Sequence, residues 1–250
     1  MTRYVAIGDS TVEGLEDPGP DGVYVGWADR LARHLRAAHP DLTYANLAVR
    51  GMTAREVRTT QLERALSLRP DIAVVVAGVN DVLRPRFDRE ALREDLLAMH
   101  AALHDAGARV ASFTMPDMAR VAPLAVVLRG RLEALNDITR EAADRYGTAV
   151  ADLAAESLAS DPAVWHDDRL HANSEGHRRI ALALAESLGV DAGDWRTPLP
   201  EVSRQPLPAV VAREMAWVAT HLGPWVWARL RGRPHAEPAE CTRPELAPVE

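Results

Sequence analysis

Five short apolar segments alternate with longer helix-like segments over the first 190 residues, and this alternation constrains the fold more than any other feature. The apolar segments are too short for helices and are almost continuously hydrophobic, which is typical of strands buried on both faces. The predicted strands cover residues 3–7, 42–47, 72–77, 109–114 and 149–153. Strands that alternate with helices predict a parallel sheet with right-handed crossovers and with helices on both faces. We therefore predict a doubly wound α/β fold with a five-stranded parallel sheet.

Charge and composition exclude several classes of protein. The formal net charge is −7, whereas a general nucleic-acid-binding protein is expected to be basic. The only cysteine is Cys241, so an intrachain disulfide framework is excluded and a reducing compartment is indicated. The first strand begins too early for a signal peptide, and no segment approaches the ~20 apolar residues of a membrane span. These features predict a cytoplasmic protein with no nucleic-acid partner and no transmembrane segment.

The composition changes after residue 190, which predicts a separate C-terminal region. We predict one main domain over residues 1–190, a proline-flanked helical extension over 191–233 and a disordered tail over 234–250. The extension carries Trp217, Trp225 and Trp227, and residues 204–233 hold five Arg against one Glu. Two roles are open for it: packing on the main domain or on a second subunit of a homo-oligomer, or contact with a membrane surface.

Polar residues follow the predicted strands at the points where the strands end. Ser10 follows the first strand, Gly51 the second and Asn80 the third, and Asp168 and His171 lie in the loop after the fifth. Ligands of open α/β sheets bind outside the carboxyl ends of the strands. The sequence therefore predicts that these residues meet in one site.

The residue types of this site are those of nucleophilic catalysis by serine. Ser10 is the candidate nucleophile, and His171 is the candidate base that accepts its proton and returns it to the leaving group. Asp168 lies three residues before His171 and can reach the other ring nitrogen. The predicted oxyanion hole consists of the backbone N–H groups of Ser10 and Gly51 and the side-chain amide of Asn80.

Four ordered blocks of this sequence resemble those of the SGNH, or GDSL-type, hydrolases. They are GDS at 8–10 with Gly14, NLAVRG at 46–51, GVND at 78–81 and DRLH at 168–171. The resemblance covers about residues 3–188 and implies the flavodoxin-like three-layer α/β/α fold of that family. It also implies a metal-free, cofactor-free esterase or lipase-like hydrolase that cleaves esters or thioesters through an acyl-enzyme. Two positions depart from the family pattern: Thr11 replaces the leucine after the serine, and Ala172 stands where proline is frequent.

Several polar residues near the predicted site have alternative interpretations. Asp167 competes with Asp168 as the partner of His171, although we favour the three-residue spacing. The grouping of His166, His171 and His177 raises the alternative of a metal site, but the spacing matches no familiar ligand pattern. We therefore predict no metal and interpret His166 as a loop residue and His177 as a helix-surface or packing residue.

Structural roles are predicted for the remaining candidates. Asp9 is expected to hold the turn before Ser10, and Asp81 is expected to support the loop that carries Asn80. The apolar residues 121–128 either line an acyl pocket or form the packed beginning of a helix.

The sequence raises three possible functions for the whole chain. The favoured one is hydrolysis of a small-molecule ester by Ser10. The alternative is a non-catalytic small-molecule or carbohydrate-binding protein on the same fold. A nucleotide or flavin binder is disfavoured because the first strand is followed by neither a Gly-x-Gly-x-x-Gly nor a Walker-type loop.

Overall fold

A six-stranded sheet forms the centre of the protein in a computed structural model that describes residues 1–20, 22–199, 215–223 and 240–249. The strands are β1 (Arg3–Gly8), β2 (Thr43–Asn46), β3 (Ile72–Val76), β4 (Arg109–Phe113), β5 (Ala149–Ala151) and β6 (Arg243–Pro248). Their order in the sheet is β5-β4-β3-β1-β2-β6. The first five are parallel, as predicted, and β6 is antiparallel to β2.

Two layers of helices cover the sheet. The helices are α1 (Ser10–Glu13), α2 (Gly26–Ala38), α3 (Ala54–Ser67), α4 (Val79–Leu83), α5 (Arg89–Asp105), α6 (Arg129–Tyr146) and α7 (Ser174–Ser187). Helices α2 and α7 pack against each other, while α5 packs between α3 and α6. The three-layer α/β/α architecture is therefore confirmed.

Local chemistry fixes the beginning of α3. Thr53 accepts a hydrogen bond from the backbone N–H of Glu56, and the Glu56 carboxylate accepts the backbone N–H of Thr53 at 2.7 Å. This reciprocal capping box satisfies N–H groups that have no partner within the helix.

The predicted disorder of the tail over 234–250 is wrong for Arg243–Pro248, which forms β6. Its backbone pairs with the outer edge of β2. Arg243 lies 2.8 Å from the buried Asp29, and Glu245 lies 2.5 Å from Arg64. An edge strand obtains its stability from backbone pairing as well as from a core face, so the polar, proline-rich composition was a poor guide.

Two other boundaries differ from the prediction. The helix whose beginning was expected within residues 121–128 begins at Arg129, because Pro123–Leu128 forms tighter 3₁₀ turns. The packed unit also continues beyond residue 190: Trp195 is buried, and its carbonyl accepts a 2.6 Å hydrogen bond from Arg179.

The structure describes only part of the C-terminal extension. Val218–Leu222 forms a π-helical turn, whereas Trp225 and Trp227 lie outside the described residues. Contact with a second subunit or with a membrane surface stays a prediction. Within the described ranges, no helix is both long and apolar enough to cross a membrane.

Candidate active site

The carboxyl edge of the sheet brings the predicted site residues together. Ser10 is the first residue of α1 and lies two residues after the end of β1. Asn80 lies in α4 after β3, and Gly51 lies in the loop between β2 and α3. The loop between β5 and α7 carries Asp168 and His171 to the same edge, where His171 contacts Ser10.

Three side chains form a continuous hydrogen-bonded series. Ser10 Oγ lies 3.0 Å from His171 Nε2, and His171 Nδ1 lies 2.6 Å from Asp168 Oδ2. The other oxygen of Asp168 accepts the backbone N–H groups of Leu170 and His171 at 2.9 and 3.0 Å. Such a series can draw the proton from the serine hydroxyl and stabilise the resulting imidazolium.

The environment of Asp168 keeps its carboxylate ionised. Burial by itself raises the pKa of Asp168, but the hydrogen bond to His171 and the two backbone N–H groups outweigh it. The net result is a pKa well below the usual range. Asp168 therefore presents a negative charge to His171. Of the two candidate acids, Asp167 and Asp168, it is Asp168, three residues before His171, that bonds to the imidazole ring.

The three proposed oxyanion donors differ in their resting state. Among the described residues, no acceptor lies on the backbone N–H of Ser10 or of Gly51. Gly51 has a φ of 80°, in the left-handed region that favours glycine. The amide of Asn80 is already engaged, because it donates to Asp9 Oδ2 at 3.2 Å and to the Met52 carbonyl at 3.0 Å.

Asp9 and Asp81 have structural contacts, in agreement with their interpretation from sequence. Asp9 is buried and caps α1, where its carboxylate accepts the N–H of Thr11 at 3.0 Å. Burial raises the pKa of Asp9 to about 6. Asp81 accepts the backbone N–H of Ala54 at 2.9 Å and so links α4, which carries Asn80, to α3.

Glu13 is a site residue that sequence reasoning missed. Its buried carboxylate accepts the backbone N–H of Arg50 at 2.9 Å and the Arg50 Nε at 3.0 Å, and it also pairs with Nη2. The Arg50 guanidinium also lies over the ring of Tyr24, 5.5 Å from its centroid. These contacts hold the residue that directly precedes Gly51, which no local pattern in the sequence indicates.

Gln61 is a second residue that the sequence did not indicate. Its side-chain amide accepts the N–H of Gly8 and donates to the carbonyl of Gly8, both at 2.9 Å. A glycine is required there, since a Cβ on Gly8 would lie 2.1 Å from the carbonyl oxygen of Val76 in β3. Gln61 and this close approach together fix the end of β1, two residues before Ser10.

Of the three histidines considered as a metal cluster, His166 and His171 lie on either side of Asp168, whereas His177 lies in a separate environment. His166 contacts Glu16 at 3.3 Å. His177 is buried; its Nδ1 accepts the N–H of Trp27 at 3.1 Å, and its Nε2 donates to the carbonyl of Leu15 at 2.9 Å. Burial lowers the pKa of His177 to about 4, so the ring is neutral and structural.

One other grouping could be read as a metal site. Among the residues that the structure describes, Glu16, Asp168 and His171 have ligand atoms within 4.8 Å of one another. However, both ring nitrogens of His171 are already hydrogen-bonded, to Asp168 at 2.6 Å and to Ser10 at 3.0 Å. The grouping therefore reflects the Asp168–His171 pair.

An apolar pocket opens beside Ser10 and His171. Its walls include Phe113, Met115, Leu132, Leu153, Ile180 and Trp195. Residues 121–128 are not among its lining residues, and Leu124 and Val127 are exposed instead. Of the two interpretations of that segment, the acyl-pocket wall is not supported.

The C-terminal extension reaches the loop that carries the acid. Trp217 Nε1 donates to the carbonyl of Asp168 at 3.3 Å. The guanidinium of Arg169 lies over the Trp217 ring, 4.5 Å from its centroid. Arg169 has a φ of 60°, so this contact supports a backbone position that is uncommon for residues other than glycine.

The fold and the site define the class of protein. In a three-layer α/β/α fold, the carboxyl edge of the sheet carries a serine, a histidine and a carboxylate next to an apolar pocket. This is the construction of a hydrolase, since the site has a potential nucleophile, a base and N–H donors in one place.

Comparison with known proteins gives the family. The model of the GDSL-like lipase/acylhydrolase family matches residues 6–179, so the chain belongs to this family and is an ester-hydrolysing enzyme. An acetylxylan esterase of Geobacillus stearothermophilus is 26% identical over 212 residues, which are 76% of this chain and 94% of that protein.

Solved structures agree with the fold. LAE5, an α/β hydrolase from the metagenome of Lake Arreo in Spain, is 24% identical with a TM-score of 0.63, over 75% of this chain and 95% of its own. Axe2, an acetylxylan esterase of Geobacillus stearothermophilus, is 19% identical with a TM-score of 0.63, over 78% and 95%. Both likenesses confirm the architecture that the sequence predicted.

Proposed function

We propose that this enzyme cleaves a carboxylic ester or thioester through a covalent acyl-enzyme on Ser10. The observation that carries the proposal is the Ser10–His171–Asp168 series, with separations of 3.0 and 2.6 Å. His171 Nε2 accepts the Ser10 proton as Oγ attacks the carbonyl carbon, and Asp168 stabilises the imidazolium. The same proton then passes to the leaving alcohol or thiol, and water releases the acid by the reverse sequence.

The developing oxyanion is held by donors at the edge of the sheet. The N–H groups of Ser10 and Gly51 can bind the oxyanion without breaking an existing hydrogen bond, because neither has an acceptor among the described residues. Asn80 must share or give up its 3.2 Å bond to Asp9 or its 3.0 Å bond to Met52. One such donor typically contributes about 3 to 4 kcal/mol to the stability of the transition state.

Substitution of the nucleophile tests this assignment. We expect Ser10→Ala to reduce turnover of p-nitrophenyl butyrate to background while the far-UV circular dichroism and Tm stay close to wild type. Asp167→Asn is the matched control, since Asp167 neighbours Asp168 in the same loop and is not hydrogen-bonded to His171. If Ser10→Ala hydrolyses the ester as fast as wild type, the proposed nucleophile is wrong.

The alternative function, a non-catalytic binding protein on the same fold, is separated by a covalent probe. A fluorophosphonate reacts with an activated serine, so we expect stoichiometric labelling of wild type and none of Ser10→Ala. A binding protein would leave both proteins unlabelled.

The cytoplasmic location predicted from composition stays a prediction, which cell fractionation with an antibody to the chain would test.

A further inference from the structure

We propose that His166 is a positioning residue for Asp168, which it holds only while its imidazole ring is neutral. This inference rests on the proposed function, because Asp168 affects the rate only if His171 accepts a proton from Ser10. The sequence predicts no more than an ordinary loop residue at position 166. In the structure, three polar groups of His166 bind the turn over residues 168–171, which carries both the acid and the base.

The backbone of His166 closes this turn. Its N–H donates to the carbonyl of His171 at 2.9 Å, and its carbonyl accepts the N–H of Arg169 at 2.9 Å. Neither bond involves the side chain, so both can persist when the imidazole is replaced. A substitution at position 166 therefore tests the ring separately from the closure of the turn.

The ring of His166 adds a bond to the acid itself. Its Nδ1 accepts the backbone N–H of Asp168 at 3.3 Å. Because a backbone N–H can only donate, Nδ1 is unprotonated and the neutral ring carries its proton on Nε2. Nε2 lies 3.3 Å from the carboxylate of Glu16, which favours the proton on that nitrogen.

The other contacts of Asp168 show what this bond contributes. The carbonyl of Asp168 accepts Trp217 Nε1 at 3.3 Å. Its carboxylate bonds to His171 Nδ1 at 2.6 Å and to two backbone N–H groups of the turn. The N–H is its remaining polar group, and His166 holds it. Removal of the ring therefore frees one end of the residue whose carboxylate orients His171.

Protonation reverses the role of Nδ1. A ring with a proton on both nitrogens only donates, so Nδ1 then faces another donor, the N–H of Asp168. An acceptor for the new proton is Asp168 Oδ1, 3.6 Å away. The same oxygen accepts the N–H groups of Leu170 and His171. A charged His166 therefore competes with the bonds that aim Asp168 at His171.

The surroundings of His166 allow this change of charge. Two carboxylates face the ring among the described residues: Glu16 from the segment after α1, and Asp168 from the same loop. The side chain of His166 is 35% exposed, so protons from solvent reach it. Histidine rings change charge between about pH 5 and 8. Because Asp168 also faces His171, a positive charge on His166 draws on the carboxylate that stabilises the imidazolium of His171.

Two substitutions at position 166 measure the positioning role. His166→Ala removes the acceptor for the Asp168 N–H, whereas His166→Asn retains one, because Asn Oδ1 and His Nδ1 stand equally far along their side chains. One neutral hydrogen bond corresponds to about fivefold in rate. We therefore expect kcat for p-nitrophenyl butyrate to fall about fivefold in His166→Ala at about pH 8, with KM within about twofold. His166→Asn should keep about half or more of the wild-type kcat.

The control is a histidine away from the site. His104 is exposed in the last turn of α5, before β4 begins. We expect His104→Asn to match the wild type at every pH. Equal losses of kcat in His166→Ala and His166→Asn would contradict the inference, since only one of the two lacks an acceptor.

The pH profile gives a readout that a purely structural role would not move. The Asn oxygen accepts at every pH, whereas Nδ1 of histidine accepts only from the neutral ring. The ratio of kcat in His166→Asn to kcat in wild type should therefore rise about threefold or more between about pH 8 and pH 5. Titration of His171 affects both enzymes and largely cancels in this ratio. A constant ratio, or a wild-type kcat in His166→Ala, would overturn the inference.

The outcomes separate this inference from the proposed function. An inactive Ser10→Ala together with a fully active His166→Ala refutes the role of His166 and leaves Ser10 catalysis intact. No hydrolysis of any ester by wild type, together with no fluorophosphonate labelling, refutes the proposed function itself. Circular dichroism and Tm report whether each variant has folded. If His166→Ala does not fold, the ratio between His166→Asn and wild type still decides the question.

Discussion

Glu13→Gln offers a test of how the loop before Gly51 is held. The Glu13 side chain is 1% exposed and accepts the backbone N–H, Nε and Nη2 of Arg50. A neutral amide keeps one acceptor and turns an NH₂ group towards donors, so at least one donor of Arg50 loses its partner. Breaking a buried pair typically costs 3–5 kcal/mol, but Arg50 is 29% exposed and water can reach it. We therefore expect a loss of about 2 kcal/mol in the free energy of unfolding.

The same substitution should act on catalysis through Gly51. The Arg50 N–H that Glu13 holds belongs to the residue directly before Gly51, so freeing it lets the Gly51 N–H move from its position. Loss of one oxyanion donor lowers kcat by about 10²- to 10³-fold, and partial displacement costs less. We expect kcat to fall about tenfold or more with KM nearly unchanged, since the donor stabilises the transition state more than the bound ester.

Urea unfolding and steady-state hydrolysis of p-nitrophenyl butyrate measure the two effects. Glu141→Gln is the matched control, because Glu141 binds Arg93 Nε and Nη2 at 2.7 and 2.5 Å between α5 and α6, where the pair is more exposed. That variant should be less destabilised and should keep the wild-type kcat. A Glu13→Gln enzyme that is folded and has the wild-type kcat would refute the positioning role of Glu13.

Three further predictions follow from individual contacts. Gly8→Ala should destabilise the fold by about 3 kcal/mol or more, measured by urea unfolding, because its Cβ would lie 2.1 Å from the Val76 carbonyl oxygen; a wild-type midpoint would contradict this. His177→Gln should lower Tm at pH 7.5, and the gap to wild type should narrow by pH 5. Burial lowers the pKa of His177 in the folded state to about 4. Below about pH 6.5 the unfolded state therefore binds a proton that the folded state does not. As a result, the stability contributed by His177 is lost as the pH falls from about 6.5 towards 4. Trp217→Ala should lower kcat severalfold with a smaller effect on Tm, because it removes the 3.3 Å hydrogen bond to the carbonyl of Asp168; unchanged kinetics would assign Trp217 to packing alone.

The fold and the candidate site were predictable to different extents. The buried run of β3 is a local pattern, so the sequence identified it over 72–77, close to the observed Ile72–Val76. The strand β6 was missed because its stability comes from pairing with β2, about 200 residues earlier in the chain. Trp195 was placed outside the domain because the contacts that bury it are made with α7 and not with its sequence neighbours.

The sequence by itself determined the class of fold and the polar residues that end each strand. Periodicity defines strands and helices locally, and a parallel arrangement must gather the carboxyl ends of strands at one edge. Ser10, Asn80 and His171 could therefore be assigned to one site in advance.

Only the tertiary structure decided how that site is held and what it admits. Glu13 reaches Arg50 across 37 positions in the chain, and Gln61 reaches Gly8 across 53. The apolar pocket is assembled from β4, the loop after β5, α7 and the segment around Trp195. Contacts between distant residues leave no local pattern in a single sequence, since they depend on how the packed elements meet. For this reason the residues around Ser10 could be assigned from the sequence, whereas the apolar pocket beside them required the structure.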